Sequence, residues 1–143
     1  MAITYITCTA FKKALFDGEI DFSADTTDTF KIALYTSNSS LNSSTVAYTT
    51  TNEVASGGGY TTGGETLVVT PPITSGSVVY IDFTDVTWST ASFTARAALI
   101  YKEGGANTAI AVIDFGADVS VTAGDLAIAF PTASASSAII RMV

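Results

Sequence analysis

The chain has 143 residues, of which 48% are hydrophobic and 13% are charged, and its mean hydropathy is +0.42. A typical soluble domain is about a quarter charged, so roughly half of the usual charged surface is replaced by Thr, Ser and Gly. The length fits one domain with its own core. This composition predicts a subunit that neighbouring subunits cover.

The charge balance excludes several kinds of partner. Thirteen acidic residues and six basic ones give a formal net charge of −7, and the sequence pI is about 4.1. A nucleic-acid-binding protein needs a basic face, whereas the basic residues here are scattered, so we expect no contact with DNA or RNA. No apolar run reaches the roughly 18 residues of a membrane span, and residues 1–10 lack the basic region of a signal peptide. We expect a protein that is made and assembled in the cytoplasm and has no membrane partner.

Reactive side chains are scarce. The sequence has no His and one Cys, Cys8, so it lacks the commonest general base and metal ligand and cannot form a disulfide within the chain. Without an imidazole to activate its thiol, Cys8 is predicted to be a buried or half-buried apolar side chain. A single reduced thiol is also consistent with a protein made in the cytoplasm, where thiols stay reduced. We therefore expect no enzyme, no cofactor, and no catalytic, cofactor-binding or metal-binding residues.

Residues 1–28 are predicted to form an N-terminal arm that contains one short helix. Apolar residues recur at helical spacing from Phe11 to Phe16. Thr9 is expected to cap the start of this helix, and Gly18 is expected to end it.

The next segments alternate between strand and loop composition. Apolar and polar residues alternate from Phe30 to Tyr35, which predicts a strand. The polar stretch from Thr36 to Thr51 is predicted to be a surface excursion rather than a separate domain. Strand composition resumes at residues 66–70 and is expected to end at Pro71-Pro72, because proline has no N–H to donate to a sheet.

The second half of the chain is denser in predicted strands. Residues 78–83 form one, and residues 93–102 form another, whose core face carries the alternate residues from Phe93 to Tyr101. Residues 109–115 are apolar on both faces, which indicates a central strand covered from two sides. Residues 119–130 are expected to form one strand or a pair broken at Gly124, and residues 138–143 form the last strand.

Roughly eight short strands joined by Gly, Ser and Asp turns predict an all-β fold. We expect a single antiparallel β-sandwich of jelly-roll or immunoglobulin-like type over residues 1–143, with one short N-terminal helix. No internal repeat is visible, which disfavours a solenoid or a propeller. The predicted core includes Ile32, Leu34, Leu99, Ile113, Phe115 and Ile128.

Two segments could be mistaken for ligand-binding loops. The glycines from Gly57 to Gly64 are not followed by the Lys and Ser or Thr of a phosphate-binding loop, so a hairpin or contact loop is the favoured interpretation. Asp21, Asp25 and Asp28 lack the spacing, central Gly and distal Glu of a calcium loop. They are predicted to be solvated turn carboxylates.

Two further acidic pairs could be imagined as the carboxylates of a glycosidase. They are Asp82 with Asp85, and Asp114 with Asp118. Acidic residues at strand ends are ordinary, and no second signal supports catalysis at either pair.

Arg96 and Trp88 have several open interpretations. Arg96 lies in a strand among apolar neighbours, where it could bind a carboxylate across a subunit boundary, form an ion pair within the subunit, or lie in solvent. Trp88 is interpreted first as a core residue and alternatively as an anchor for a partner. Together with Tyr48 and Tyr60 it could form an aromatic rim for a carbohydrate or receptor.

A likeness to a known family extends over roughly residues 10–143. It is carried by residues 30–36, 48–54, 59–64, 82–83, 86–88, 95–101, 111–116 and 130–131. In this order the segments resemble small β-sandwich proteins encoded among the virion structural genes of tailed bacteriophages. No motif with an assigned chemical role accompanies the resemblance.

The resemblance implies a non-enzymatic virion component, first a capsid decoration or cement protein that binds the major capsid protein. A tail or head-fibre component with a receptor- or carbohydrate-binding role is the alternative. The acidic balance predicts a position on the capsid exterior, away from packaged DNA. A homo-oligomer is expected, and a trimer is favoured because icosahedral shells offer three-fold junctions. Residues 1–16 and 38–51 are the expected contact segments, since the core needs them least.

Overall fold

The computed structural model describes residues 3–143. Within these residues the elements are β1 (Thr4–Thr7), α1 (Thr9–Asp17), β2 (Thr29–Tyr35), β3 (Glu65–Leu67), β4 (Val69–Ser75), β5 (Val78–Phe83), β6 (Val86–Glu103), β7 (Ala109–Ile128) and β8 (Ile140–Met142). Every strand pair is antiparallel. The predicted all-β sandwich with one short helix is confirmed.

The strands form two sheets. The five-stranded sheet has the order β1-β7-β6-β2-β3, and the three-stranded sheet has the order β4-β5-β8. β6 and β7 are 18 and 20 residues long, so the predicted start of a strand at Phe93 is wrong. Residues 109–115 and 119–128, predicted as separate strands, both belong to β7, and of the two alternatives for Gly124 the structure has the unbroken strand. The β6–β7 register instead shifts around Ala91, which lies opposite Gly124. A β-bulge of this kind bends a strand without ending it. β1, which the sequence did not predict, pairs with the first part of β7.

β4 continues through Pro71 and Pro72, so the predicted strand end at these prolines is wrong. β4 is an edge strand, and its register with β5 shifts between Thr70 and Ile73. Neither proline therefore occupies a paired position. Because proline lacks an N–H, the edge of a sheet and a bulge are the two places that tolerate it.

The core fills the space between the two sheets and extends to the opposite face of the five-stranded sheet. All six predicted core residues are confirmed as buried, with at most 7% of each exposed: Ile32, Leu34, Leu99, Ile113, Phe115 and Ile128. Phenylalanine rings link α1, β2, β5 and the segment after β7, with centroids 4.9–6.2 Å apart: Phe11, Phe22, Phe30, Phe83 and Phe130. Their tilted and edge contacts are the arrangements that aromatic pairs prefer.

The central strands are buried on both faces. The sequence favoured the Leu99 and Tyr101 face of β6 over the opposite face, but Ala98 and Ile100 are fully buried as well. Ile100 lies opposite Ile32, on the face that packs in the sandwich core. The other face is covered by residues 36–64, which we call the excursion. The expected two-sided burial of residues 109–115 is confirmed, because only Asp114 among them is half-buried.

The helix begins one residue earlier than the predicted cap at Thr9 requires. Cys8 is the N-cap, without a side-chain hydrogen bond, and Thr9 is the first helical residue. Gly18 ends α1 with a φ of +73°, a left-handed conformation that glycine adopts without a steric cost. Phe11 faces the core, whereas Phe16 is 93% exposed.

Candidate functional site

The glycines from Gly57 to Gly64 allow the excursion to approach two strands closely. A Cβ at Gly58 would lie 2.3 Å from the carbonyl oxygen of Ser92 in β6, and a Cβ at Gly64 would lie 1.8 Å from that of Ile32 in β2. The Ser92 amide also donates to the Gly58 carbonyl at 2.8 Å. These contacts agree with the interpretation as a contact loop.

The aspartates near the N-terminus bind their own turn. The Asp21 carboxylate accepts hydrogen bonds from the amide and hydroxyl of Ser23 at 2.8 and 2.9 Å, and these bonds lower the pKa of Asp21. Asp28 accepts from the Asp21 amide and forms an ion pair with Lys102 at 3.1 Å. Asp25 joins neither contact. Within residues 3–143 no group of three His, Cys, Asp or Glu side chains is placed to hold a metal ion.

Three of the other acidic candidates, Asp82, Asp85 and Asp114, accept hydrogen bonds from nearby backbone amides. Asp82 accepts from the Phe83 amide and Asp85 accepts from the Phe130 amide, both at 2.9 Å. Burial raises the pKa of Asp82, and the charge of Asp85 adds to that rise. Asp114 accepts from the Gly116 amide. Asp118 lies in β7, four residues further along the strand.

Arg96 and Cys8 each have a clear environment. The Nε of Arg96 lies 3.4 Å from Oδ1 of Asp114. Of the three interpretations of Arg96, the structure therefore shows the ion pair within the subunit.

Cys8 is fully buried as predicted, and burial raises the pKa of its thiol to about 11. The thiolate needed for nucleophilic attack is therefore disfavoured.

The aromatic rim that Tyr48, Tyr60 and Trp88 could have formed is absent, because two of these residues are inside the protein. Trp88 and Tyr60 are 2% and 3% exposed, with ring centroids 6.3 Å apart. Tyr48 stacks instead on Tyr101, with centroids 4.5 Å apart. The core interpretation of Trp88 is confirmed.

Sequence reasoning missed a polar cluster around Glu53. Its carboxylate accepts hydrogen bonds from the hydroxyls of Tyr48 and Tyr60 at 2.7 and 2.6 Å and from the amide of Gly63 at 2.7 Å. The Tyr60 hydroxyl in turn accepts from the Leu34 amide of β2 at 2.9 Å. One signal was available, because Glu53 is the sole charged residue in the sequence between residues 36 and 64. The cluster fastens the excursion to the five-stranded sheet.

Large apolar side chains are exposed on α1 and on the edge strands β1 and β8. Those on these three elements are Ile3 just before β1, Tyr5, Phe16 and Met142. A cleft of about 210 Å³ lies between β1 and β7, with Tyr5 and Phe115 among its lining residues. A larger one of about 500 Å³ lies between α1 and β8. We call it the α1–β8 groove; it is lined by Thr7, Phe11, Lys12, Leu15, Phe16, Ile140, Arg141 and Met142.

Comparisons of the chain with family models, with curated proteins and with solved structures found no match. Among the described residues, no helix is both long enough and apolar enough to cross a membrane. The site that the geometry itself offers is therefore the exposed apolar surface of β1, α1 and β8.

Proposed function

We propose that the protein is a structural component of a tailed-bacteriophage virion, namely a capsid decoration or cement protein without enzymatic activity. The exposed apolar surface of β1, α1 and β8 carries this proposal. Phe16 is 93% and Met142 is 56% exposed in a chain that is only 13% charged. Contiguous exposed apolar surface is typical of protein–protein contact sites. The family resemblance of the sequence supports the same class.

In this proposal the partners are the major capsid protein and further copies of the chain, which form a homotrimer on the capsid exterior. Three-fold junctions of an icosahedral shell bring several capsid subunits together, and a trimer can contact all of them. Linked weak contacts raise retention by about two to four orders of magnitude. A subunit that binds only the assembled shell stabilises it by mass action.

The expected contact segments offer apolar side chains for these interfaces. Residues 1–16 include the exposed Phe16, although Met1 and Ala2 lie outside the described residues. Residues 38–51 include Val46, which is 70% exposed. The acidic net charge of −7 favours the outer surface of the shell over contact with packaged DNA.

The test compares purified particles with and without the protein. We expect depleted particles to lose shell integrity at a lower temperature than complete particles, or when the salt concentration is lowered. Adding the protein back should reverse this loss. Unchanged shell stability together with loss of adsorption to host cells would overturn the decoration role in favour of a tail or head fibre. Imaging of the particles at modest resolution checks the position directly.

A further inference from the structure

The two basic side chains that lack an ion pair both line the α1–β8 groove. Four of the six basic residues have acidic partners: Lys13 with Asp17, Lys31 with Glu103, Arg96 with Asp114, and Lys102 with Asp28. Within residues 3–143 the remaining two, Lys12 and Arg141, have none. Both are exposed and both line the groove. In a chain with a net charge of −7, the groove is therefore a basic site.

The floor between these two charges is apolar. Leu15 and Phe16 of α1 and Ile140 and Met142 of β8 line it. A ligand that fills the groove therefore gains from apolar side chains in the centre and from carboxylates near its two basic residues.

β8 also presents an open edge of the three-stranded sheet. It pairs with β5 through Ile140, Arg141 and Met142, and within the described part of the chain no strand pairs with its other edge. The unpaired N–H and C=O groups of such an edge can bond to an added strand. An extended peptide is therefore better suited to this site than a helix is.

We propose that the α1–β8 groove binds an extended segment of a partner protein, in which apolar residues alternate with Asp or Glu, as a strand added to β8. Alternation places the apolar side chains on one face and the carboxylates on the other. The inference rests on the proposed function in that the capsid shell protein would supply the segment.

A second copy of the chain fits this edge poorly. Antiparallel pairing of two β8 strands centred on Arg141 would place two guanidinium groups directly opposite each other. Like charges in that position are destabilising, so an acidic segment suits this edge better than a second β8 does.

The test uses a capped seven-residue peptide in which valine alternates with glutamate, titrated calorimetrically into the protein. We expect binding that the Lys12→Glu and Arg141→Glu variants each weaken by about tenfold or more. Lys13→Glu is the matched control, because it makes the same charge change on the same helix at a residue that does not line the groove. It is expected to retain binding. The same peptide with lysine in place of glutamate, or with alternate backbone amides methylated, is expected not to bind.

Circular dichroism confirms that the variants are folded before binding is compared. Equal losses in Lys12→Glu and Lys13→Glu would overturn the groove as the site. Self-association that Lys12→Glu abolishes would assign the groove to a second copy, and binding to anionic lipid vesicles in place of the peptide would assign it to an amphiphile; either result overturns the proposal.

The same variants separate this inference from the proposed function. If Lys12→Glu loses the peptide but still restores depleted particles, decoration stands and the groove is not the contact. If the wild-type protein binds the peptide but leaves particle stability unchanged, the groove stands and the decoration role fails.

Discussion

Glu53 connects the excursion to the five-stranded sheet through the hydroxyls of Tyr48 and Tyr60 and the amide of Gly63. Hydrogen bonds to a charged carboxylate are roughly twice as strong as neutral ones. The hydroxyls of the buried Tyr60 and the half-buried Tyr48 both donate to this carboxylate, so the cluster depends on the tyrosines staying neutral. It therefore makes the stability of the protein sensitive to alkaline pH.

We expect stability to fall as the pH rises above about 8. The fall begins there because burial raises the pKa of the Cys8 thiol to about 11 from about 8.5 in an unfolded chain. The tyrosines contribute further above about pH 10. Burial raises the pKa of Tyr101 to about 12. Burial also raises the pKa values of Tyr35, Tyr48 and Tyr60, and the hydrogen bond to Glu53 raises those of Tyr48 and Tyr60 further. Because the unfolded chain loses these protons first, at a pKa of about 10, rising pH favours unfolding. Urea midpoints from pH 8 to pH 12 measure this, and the decline should be shallower in Tyr60→Phe. A urea midpoint that stays constant up to pH 12 would contradict this dependence of stability on the buried tyrosines.

Gly64 lies where the excursion approaches β2 most closely, and Gly64→Ala is expected to destabilise the protein strongly. The new Cβ would lie 1.8 Å from the Ile32 carbonyl oxygen, at a φ of +78°. Gly18→Ala is the control, because its φ is +73° and nothing lies within 4 Å of its Cβ. The control should be destabilised only by the cost of a left-handed backbone at Ala, about 1–2 kcal/mol. Denaturant unfolding measures the free energy of unfolding of both variants. Equal losses of stability would show that the backbone near Gly64 moves away from the new Cβ at no cost.

At the scale of elements, the excursion acts as a third layer although within it no helix or named strand is formed. The Tyr48 amide donates to the Asn107 carbonyl at 2.9 Å, and the Tyr48 ring stacks on Tyr101 of β6. The Tyr35 hydroxyl donates to the Thr49 carbonyl at 2.6 Å. Side chains from the sheet thus hold a polar segment that has few apolar residues of its own.

Tyr48→Ala is expected to loosen the excursion while the sheets stay folded. The change removes the stacking on Tyr101 and the hydrogen bond to Glu53, which hold the middle of the segment. Hydrogen exchange should rise in residues 36–64 and stay low in β6 and β7. Val46→Ala, at a side chain that is 70% exposed, should leave exchange unchanged. If Tyr48→Ala raised hydrogen exchange equally in residues 36–64 and in β6 and β7, the excursion would not be a separately held layer.

At the scale of the whole molecule, one connected set of buried residues joins α1, both sheets and the excursion. Trp88 belongs to this set together with Leu99 and Tyr60. Because no second buried cluster separates one half of the described chain from the other, unfolding is expected to be cooperative, as in small single domains.

We expect the fluorescence of Trp88 and the far-ultraviolet circular dichroism to report the same unfolding transition. Leu99→Ala should shift both by the same amount, with a loss of about 2–5 kcal/mol for a buried Leu. Val68→Ala, at a side chain that is 65% exposed, serves as the control and should shift neither. Separate midpoints for the two signals would contradict a single domain over residues 3–143.

Local pattern was sufficient for much of the fold. The alternation from Phe30 to Tyr35, the two-sided apolar run at residues 109–115 and the helical spacing that ends at Gly18 depend on near neighbours in the chain. The sequence was therefore sufficient for the fold class, for the positions of β2, β5 and β8 and for the six predicted core residues. The lack of His likewise needs no structure to limit the available chemistry.

Other features depend on which segments meet in the folded protein, and local pattern does not contain them. β4 passes through Pro71 because it lies at an edge, and Ala98 is buried because layers cover both faces of its sheet. The hydrogen-bond donors to Glu53 come from the excursion itself, and one of them, the Tyr60 hydroxyl, accepts from the Leu34 amide of β2. The α1–β8 groove joins residues from opposite ends of the sequence. Composition and periodicity describe each segment alone, whereas long-range contacts determine its neighbours.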